Sequence, residues 1–369
     1  MIDTFDLRIL VDPALEWFYK NKRDLPWRQG KNAYGIWVSE IMLQQTRVEA
    51  VIPYYHRFMG ALPDIKTLAK CPEDRLLKLW EGLGYYNRVR NMQKAARVIV
   101  EEYGGNMPKT YKEIVSLPGI GPYTAGAIAS IAFGEKVPAV DGNVLRILSR
   151  VTEDDRDILK ESTKKSVTAA LQRVMPQAAG DFNQALMEIG ALVCIPNGEP
   201  KCGQCPWQFC CEAWAHQSYD RFPVKTKAKA RRIEDRTVLL IRDGQKILLG
   251  KRPGKGLLAG LYEFPNLEGH QGEEEILSFA RAQGLEPLRI EKLPEAKHIF
   301  SHIEWHMIGY MVQVADVESY YATAEGCLPS DYLLVDLDRV QREYAIPTAF
   351  EKYAKNVSLK LGPEKILSK

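Results

Sequence analysis

The sequence predicts a chain of two domains, a mainly α N-terminal domain followed by an α+β C-terminal domain. Three observations carry this. From residue 5 to about 215 apolar residues recur every three or four positions and strand-like alternation is scarce. Residues 221–232, RFPVKTKAKARR, then change the texture, with six basic residues and no acidic one. After residue 235 short apolar runs and period-2 alternation take over. A length of 369 residues suits two domains, here 1–220 and 236–369 with a basic linker over 221–235.

Each element follows in order. Ile36-Trp37-Val38 and Ile41-Met42-Leu43 show the helical spacing, and Leu25-Pro26, Leu62-Pro63, Gly104-Gly105 and Leu117-Pro118-Gly119 punctuate short connections. About ten short helices are expected from this pattern. The basic run reads as a solvated linker whose charge also suits DNA phosphate. Beyond it, residues 237–241 and 246–249 flank Asp243-Gly244, a hairpin signal. Residues 303–314 alternate apolar and polar, with Trp305 and Tyr310 among them, whereas 273–283 and 346–356 have helical spacing. Strands mixed with helices give the α+β class.

Composition sets the bounds. Apolar residues at 46% and charged residues at 26% describe a globular chain with a real core. No apolar run reaches the length of a membrane span, and Asp3 and Asp6 with no basic head argue against a secretory signal. A cytoplasmic protein without membrane contact, acting as a monomer, is expected. A net charge of +3 permits nucleic-acid binding without arguing for it.

The cysteines argue more sharply. Cys194, Cys202, Cys205, Cys210 and Cys211 crowd into one short span, while Cys71 and Cys327 stand alone. A disulfide framework spreads its cysteines; a dense cluster in a large chain is a metal site. The spacing Cys194-x7-Cys202-x2-Cys205-x5-Cys211, with no histidine within the span, suits either a tetrahedral zinc or a four-iron cluster. Cys210 is spaced to replace Cys211.

Three further motifs carry chemistry. In Leu117-Pro118-Gly119-Ile120-Gly121-Pro122-Tyr123 two glycines permit a tight turn and a close approach to a ligand. The helix then begins at Pro122 and presents free N–H groups to an anion; a plain helix–helix turn is the other reading. Glu40 lies in the apolar stretch Trp37–Leu43, sharing a helix face with Gln44 and Arg47 by spacing. A carboxyl buried there has a raised pKa and serves as a general acid; an ion pair with Arg47 is the alternative. Asp141, in Val140-Asp141-Gly142-Asn143, sits at a loop-to-helix junction, as a second functional carboxylate or as a helix cap.

Taken together, these motifs resemble the endonuclease III and MutY-type DNA glycosylases. The resemblance spans about residues 15–355 and is strongest at 23–49, 81–91, 117–127, 140–146 and 194–211. It implies a helix-hairpin-helix glycosylase domain whose Gly119 and Gly121 grip a DNA phosphate. It also implies one four-iron–four-sulfur (4Fe-4S) cluster on Cys194, Cys202, Cys205 and Cys211, although the first gap holds seven residues where the family usually has six. By the same resemblance Glu40 protonates the adenine leaving group and activates water, Asp141 stabilises the cationic sugar, and Tyr123 and Asn143 hold this pair. Lysine stands at position 123 in relatives that also cut the backbone, so Tyr123 implies a monofunctional enzyme.

The substrate implied is double-stranded DNA with adenine opposite 8-oxoguanine. Chemistry on a base requires it to leave the stack. Leu25, Trp27, Arg28, Leu43 and Gln184 resemble the adenine pocket, and Gln44-Gln45-Thr46 resembles a segment that fills the gap left by the base and holds its partner. Gln45 and Tyr85 resemble wedges in the duplex, and Thr46 and Leu83 resemble contacts to the oxidised guanine. The second domain resembles the Nudix fold around Gly256–Pro265. Its helix carries Ser278, Arg281 and Ala282 where Nudix hydrolases hold magnesium with glutamates, so no pyrophosphatase activity is expected. Phe300-Ser301-His302 matches a lesion-reading loop, with Ser301 as the contact. The rivals are a glycosylase/lyase for oxidised pyrimidines, opposed by Tyr123, and a non-catalytic iron–sulfur DNA-binding protein, opposed by Glu40 and Asp141.

Overall fold

The computed structural model describes residues 2–30, 32–226, 230–315 and 332–362; Cys327 lies outside them. Its contacts divide the chain into two compact units, Met1–Lys70 with Arg90–Lys227, and Cys71–Val89 with Ala228–Lys369.

The first unit is helical. Its early helices are α1 (Val11–Asn21), α2 (Ala33–Leu43), α3 (Val48–Ala61) and α4 (Ile65–Lys70). Helix α5 (Glu73–Trp80) belongs to the second unit, and α6 (Asn87–Tyr103) returns the chain to the first. There follow α7 (Tyr111–Val115), α8 (Pro122–Phe133), α9 (Gly142–Val151), α10 (Glu161–Gln172), α11 (Ala179–Leu192) and the short α12 (Glu212–Ala215). Helix α8 packs on α2 and α11, and α11 packs in turn on α1 and α9. Small residues make this approach possible. A Cβ at Gly126 of α8 would lie 2.4 Å from the Pro138 carbonyl, and one at Gly180 of α11 would lie 2.6 Å from that of Ser130, distances no side chain tolerates. Trp37, Val38, Ile128 and Ala129 are fully buried at this centre.

The second unit is built on a mixed sheet. Its strands are β1 (Arg232–Asp243), β2 (Lys246–Lys251), β3 (Tyr262–Glu263), β4 (Asn266–Glu268), β5 (Pro287–Ile299), β6 (Ile303–Val314) and β7 (Tyr332–Asp336). They run in the order β3-β2-β1-β6-β5, with β4 added on β1 and β7 on β2. The β1–β6 pair is parallel and its neighbours antiparallel. The hairpin read at Asp243-Gly244 is present, with Asp243 paired to Lys246. Residues 237–241 are buried on both faces, as a central strand requires. Leu239 and Ile241 meet α13 (Glu273–Ala282) through Ile276 and Ala280, while Val238 and Leu240 face the C-terminal segment through Phe350 and Tyr353.

Two boundaries differ from the sequence reading. Strand β1 starts at Arg232, inside the stretch assigned to the linker. Its charges had hidden a strand: Arg232 and Arg236 pair with Glu234, which also accepts from Trp305 Nε1. Residues 71–89, read as part of the helical domain, group with the second unit. Among the described residues no helix is long and apolar enough to cross a membrane.

Candidate active site

Helix α2 is buried almost throughout, and Glu40 is 5% exposed within it. Its Oε2 accepts a hydrogen bond of 2.7 Å from the Tyr123 hydroxyl at the start of α8. Burial lifts the Glu40 carboxyl to about 7, opposed by the Tyr123 bond and reinforced by the charge of Asp141. The helix face shared with Arg47 does not exist, because α2 ends at Leu43 and the chain turns through Gln45 at a φ of 60°. Glu40 is therefore paired with a hydroxyl and not with an arginine.

Asp141 caps α9, its Oδ1 accepting from Val144 N at 2.8 Å and its Oδ2 from Asn143 Nδ2 at 2.7 Å. Cap and functional carboxylate are thus compatible readings. Burial raises its pKa, and these bonds pull in the opposite direction. Asn143 is held in turn. Arg146 donates to Asn143 Oδ1 at 3.0 Å, to Gly190 O at 2.7 Å and to Cys194 O at 3.0 Å. The loop entering Asp141 is fixed by buried Asn183, which accepts from Ala139 N and donates to Val137 O and Ser130 Oγ.

Arg28, whose charge acts on the Glu40 carboxyl, belongs to a polar cluster. Arg28 Nε donates to Gln184 Oε1 at 2.9 Å, and its Nη2 to Glu188 Oε1 at 3.1 Å. Glu188, buried on α11, also accepts from Arg23 at 2.7 Å, and these arginines hold its carboxyl below the usual range against the effect of burial. Arg23 and Glu188 were missed in the sequence. Their one local signal was Gln184 and Glu188 four apart on a single helix face. Leu25 and Trp27 are buried close by in sequence to Arg28, and Gln44 Nε2 reaches Thr124 Oγ1 at 3.4 Å. Leu43 is the last residue of α2, and Gln45 and Thr46 follow on the turn after it, with Gln45 exposed.

The glycine turn joins α7 to α8. Gly119 has a φ of 74°, and a Cβ there would lie 2.5 Å from that of Asn91, so both freedoms of glycine are used. Gly121 has extended backbone open to any residue. Its contribution is an exposed helix N-terminus beginning at Pro122, with no side chain over the free N–H groups.

In the second unit, Gly82 and Gly84 flank Leu83, and Tyr85 takes a φ of 46°. Tyr85 is half exposed, and its hydroxyl lies 3.4 Å from Ser301 Oγ on the turn between β5 and β6. Two residues distant in sequence, singled out separately, meet here.

Cys194, Cys202, Cys205 and Cys211 line one cavity of about 30 Å³ with Arg150 and Trp207. Arg150 donates to Cys194 Sγ at 3.3 Å. Burial, then the neighbouring thiolates, pushes Cys205 up to about 12 and Cys211 up to about 11. Cys210 does not line the cavity; its thiol turns to Trp207 O. Among the described residues no trio of His, Cys, Asp or Glu is arranged around a single metal ion.

Known proteins agree with this architecture. The model of the HhH-GPD superfamily of base excision DNA repair proteins matches residues 38–177, and that of the NUDIX domain matches 237–356. A solved thermostable thymine-DNA glycosylase is 29% identical with a TM-score of 0.51, covering 57% of this chain and 96% of its own. The adenine DNA glycosylase of Mus musculus is 38% identical over 365 residues, 82% of this chain and 70% of the relative. That of Buchnera aphidicola subsp. Baizongia pistaciae is 37% identical over 300 residues, 80% of this chain and 83% of the relative. The chain belongs to the adenine DNA glycosylase family, base-excision repair enzymes that hydrolyse the N-glycosyl bond of adenine in DNA.

Proposed function

We propose that the enzyme removes adenine mispaired with 8-oxoguanine, or with guanine, from double-stranded DNA as a cytoplasmic monomer, leaving an abasic site without cutting the backbone. The observation that carries the chemistry is the buried Glu40 carboxyl, hydrogen-bonded to Tyr123 and lifted to about 7, beside an ionisable Asp141. A carboxyl near 7 still holds a proton at neutral pH.

The flipped adenine is held by Arg28 and Gln184, with Leu25, Trp27 and Leu43 around it. Glu40 gives its proton to the base as the C1′–N9 bond breaks and the bonding electrons leave with adenine. The Asp141 carboxylate stabilises the oxocarbenium sugar. Glu40, now ionised, takes a proton from the water that adds to C1′, which restores the acid. Tyr123 donates to Glu40 and offers no amine for an imine with the sugar, which supports a monofunctional reaction. Asn143 orients Asp141. The exposed N-terminus of α8 behind Gly119 and Gly121 binds a phosphate.

Gln45 and Tyr85 fill the gap beside the extruded base, and Thr46, Leu83 and Ser301 contact the opposite guanine. Gln45 and Tyr85 are among the non-glycine residues at positive φ in the described chain, and such strain is found where function demands it. The four cysteines sharing a cavity fit a 4Fe-4S cluster, which when bound cross-links residues 194–211 into a loop that meets DNA. Single-turnover excision of adenine opposite 8-oxoguanine, guanine and thymine tests the substrate. Fastest release opposite 8-oxoguanine supports the reading, and equal rates on all three overturn it.

A further inference from the structure

Residues 71–89 sit with the sheet unit through a buried ion pair. Lys78 on α5 and Glu81 just after it meet at 2.8 Å, with Glu81 1% exposed. Neither stops at the other. Lys78 Nζ donates to Tyr344 O at 2.9 Å and to Val340 O at 3.3 Å. Glu81 Oε1 accepts from Ile346 N at 2.8 Å, and its Oε2 from Gly362 N at 3.3 Å. Four backbone groups of the C-terminal segment are therefore satisfied by two side chains from the middle of the chain. Such saturation is what makes a buried ion pair tolerable. An exposed contact between Lys251 and Asp74 at 3.0 Å lies on the same side chain run and adds little.

The turn that follows is strained. Tyr85 follows Gly84 at a φ of 46°, a left-handed conformation that L-residues rarely adopt. Trp80 Nε1 donates to Gly84 O, and Arg88 donates to Leu83 O and Gly84 O. The turn is thus held from Trp80, one residue before Glu81, and from Arg88 after it. Its hydroxyl end reaches Ser301.

We propose that Lys78 and Glu81 make the Leu83–Tyr85 turn a fixed part of the lesion-reading unit, with Glu81 a positioning residue for discrimination of the base opposite adenine. The inference rests on the reading of Tyr85 and Ser301 as contacts to that base. With the charge of Glu81 removed, Lys78 loses the carboxylate it meets at 2.8 Å and the C-terminal amides lose a charged acceptor. The turn then relaxes away from Ser301, and only the contact to the opposite base suffers. Adenine chemistry, performed in the other unit, is untouched.

The test uses Glu81→Gln and Lys78→Met in the full chain, with Tyr85→Phe and Ser301→Ala alongside. Single-turnover rates are measured with adenine opposite 8-oxoguanine and opposite guanine, and amide exchange is followed at residues 82–86, at Ile346 and on α2. Glu81→Gln is expected to lower the ratio of the two rates on the order of tenfold, about 1.4 kcal/mol, leaving the rate opposite guanine unchanged. Exchange should accelerate at 82–86 and Ile346 and stay as it was on α2. Should Glu81→Gln not fold, Lys78→Met must show the same pattern. If Tyr85→Phe and Ser301→Ala lower the ratio while Glu81→Gln and Lys78→Met do not, the positioning role is wrong. If Tyr85→Phe and Ser301→Ala leave the ratio intact, the lesion-contact reading fails and takes the inference with it.

Discussion

Replacing Glu40 by glutamine is expected to abolish excision and to stabilise the helical unit, by an amount that depends on pH. The carboxyl is buried, and folding moves its pKa from an ordinary 4.5 to about 7. Below 4.5 the group is protonated in both folded and unfolded chains and costs nothing. As pH rises from 4.5 to 7 the unfolded chain ionises freely while the folded one cannot, so stability falls. Above 7 the full penalty applies; at RT ln 10 per pH unit, the move from 4.5 to about 7 amounts to about 3 kcal/mol. Glutamine carries no charge and keeps an oxygen for the Tyr123 hydroxyl. Its advantage over the wild type should grow by roughly 2–3 kcal/mol between pH 5 and pH 8. For a unit of this size that is roughly 4–12 °C in melting temperature. Melting both proteins at the two pH values, with excision and DNA binding measured in parallel, provides the assay. A difference that does not change with pH would mean that burial does not keep Glu40 protonated, and turnover retained by Glu40→Gln would end its role as the acid.

The same geometry makes further predictions. Asn143→Ala removes a bond that pulls the Asp141 pKa down. Since Asp141 must be ionised, the acid limb of the pH–rate profile should move to higher pH, while its alkaline limb stays where Glu40 sets it, near 7. Glu188→Gln takes the buried charged acceptor from Arg28 and leaves Arg23 only the exposed Glu49; about 2 kcal/mol of stability and at least tenfold in single-turnover rate should be lost, and equal loss of product-DNA binding would count against a pocket role. Cys211→Ser should yield protein depleted of iron and of yellow-brown colour, whereas Cys210→Ser should retain both. Iron retained in Cys211→Ser, or lost from Cys210→Ser, would mean a different ligand set.

Much of the site was legible because its signals are local. Asp141 before a helix, glycines at a turn, and an acid in an apolar run are each visible in a window of about ten residues. The hairpin at Asp243-Gly244 and the alternation of β6 are local in the same way. What was not legible depends on partners far along the chain. Glu188 meets Arg28 160 positions away, and Glu81 meets Ile346 265 positions away. Neither spacing nor composition marks such an acid apart from a solvated one. Arg47 was set on the wrong face because a helix end was unseen. Of the two glycines read as permitting a tight turn, Gly119 takes the positive φ and Gly121 has extended backbone. The start of β1 was hidden by charges that pair along the strand and stack on Trp305, with Arg236 5.4 Å from its ring.

The most direct test of the account is base release from a duplex holding one adenine opposite 8-oxoguanine, analysed with and without hot alkali. Strand breaks appearing only after alkali are what Glu40, Asp141 and Tyr123 in these roles predict. Breaks without alkali would mean a lyase and a different role for position 123, and no release from tightly bound DNA would contradict the catalytic assignment itself.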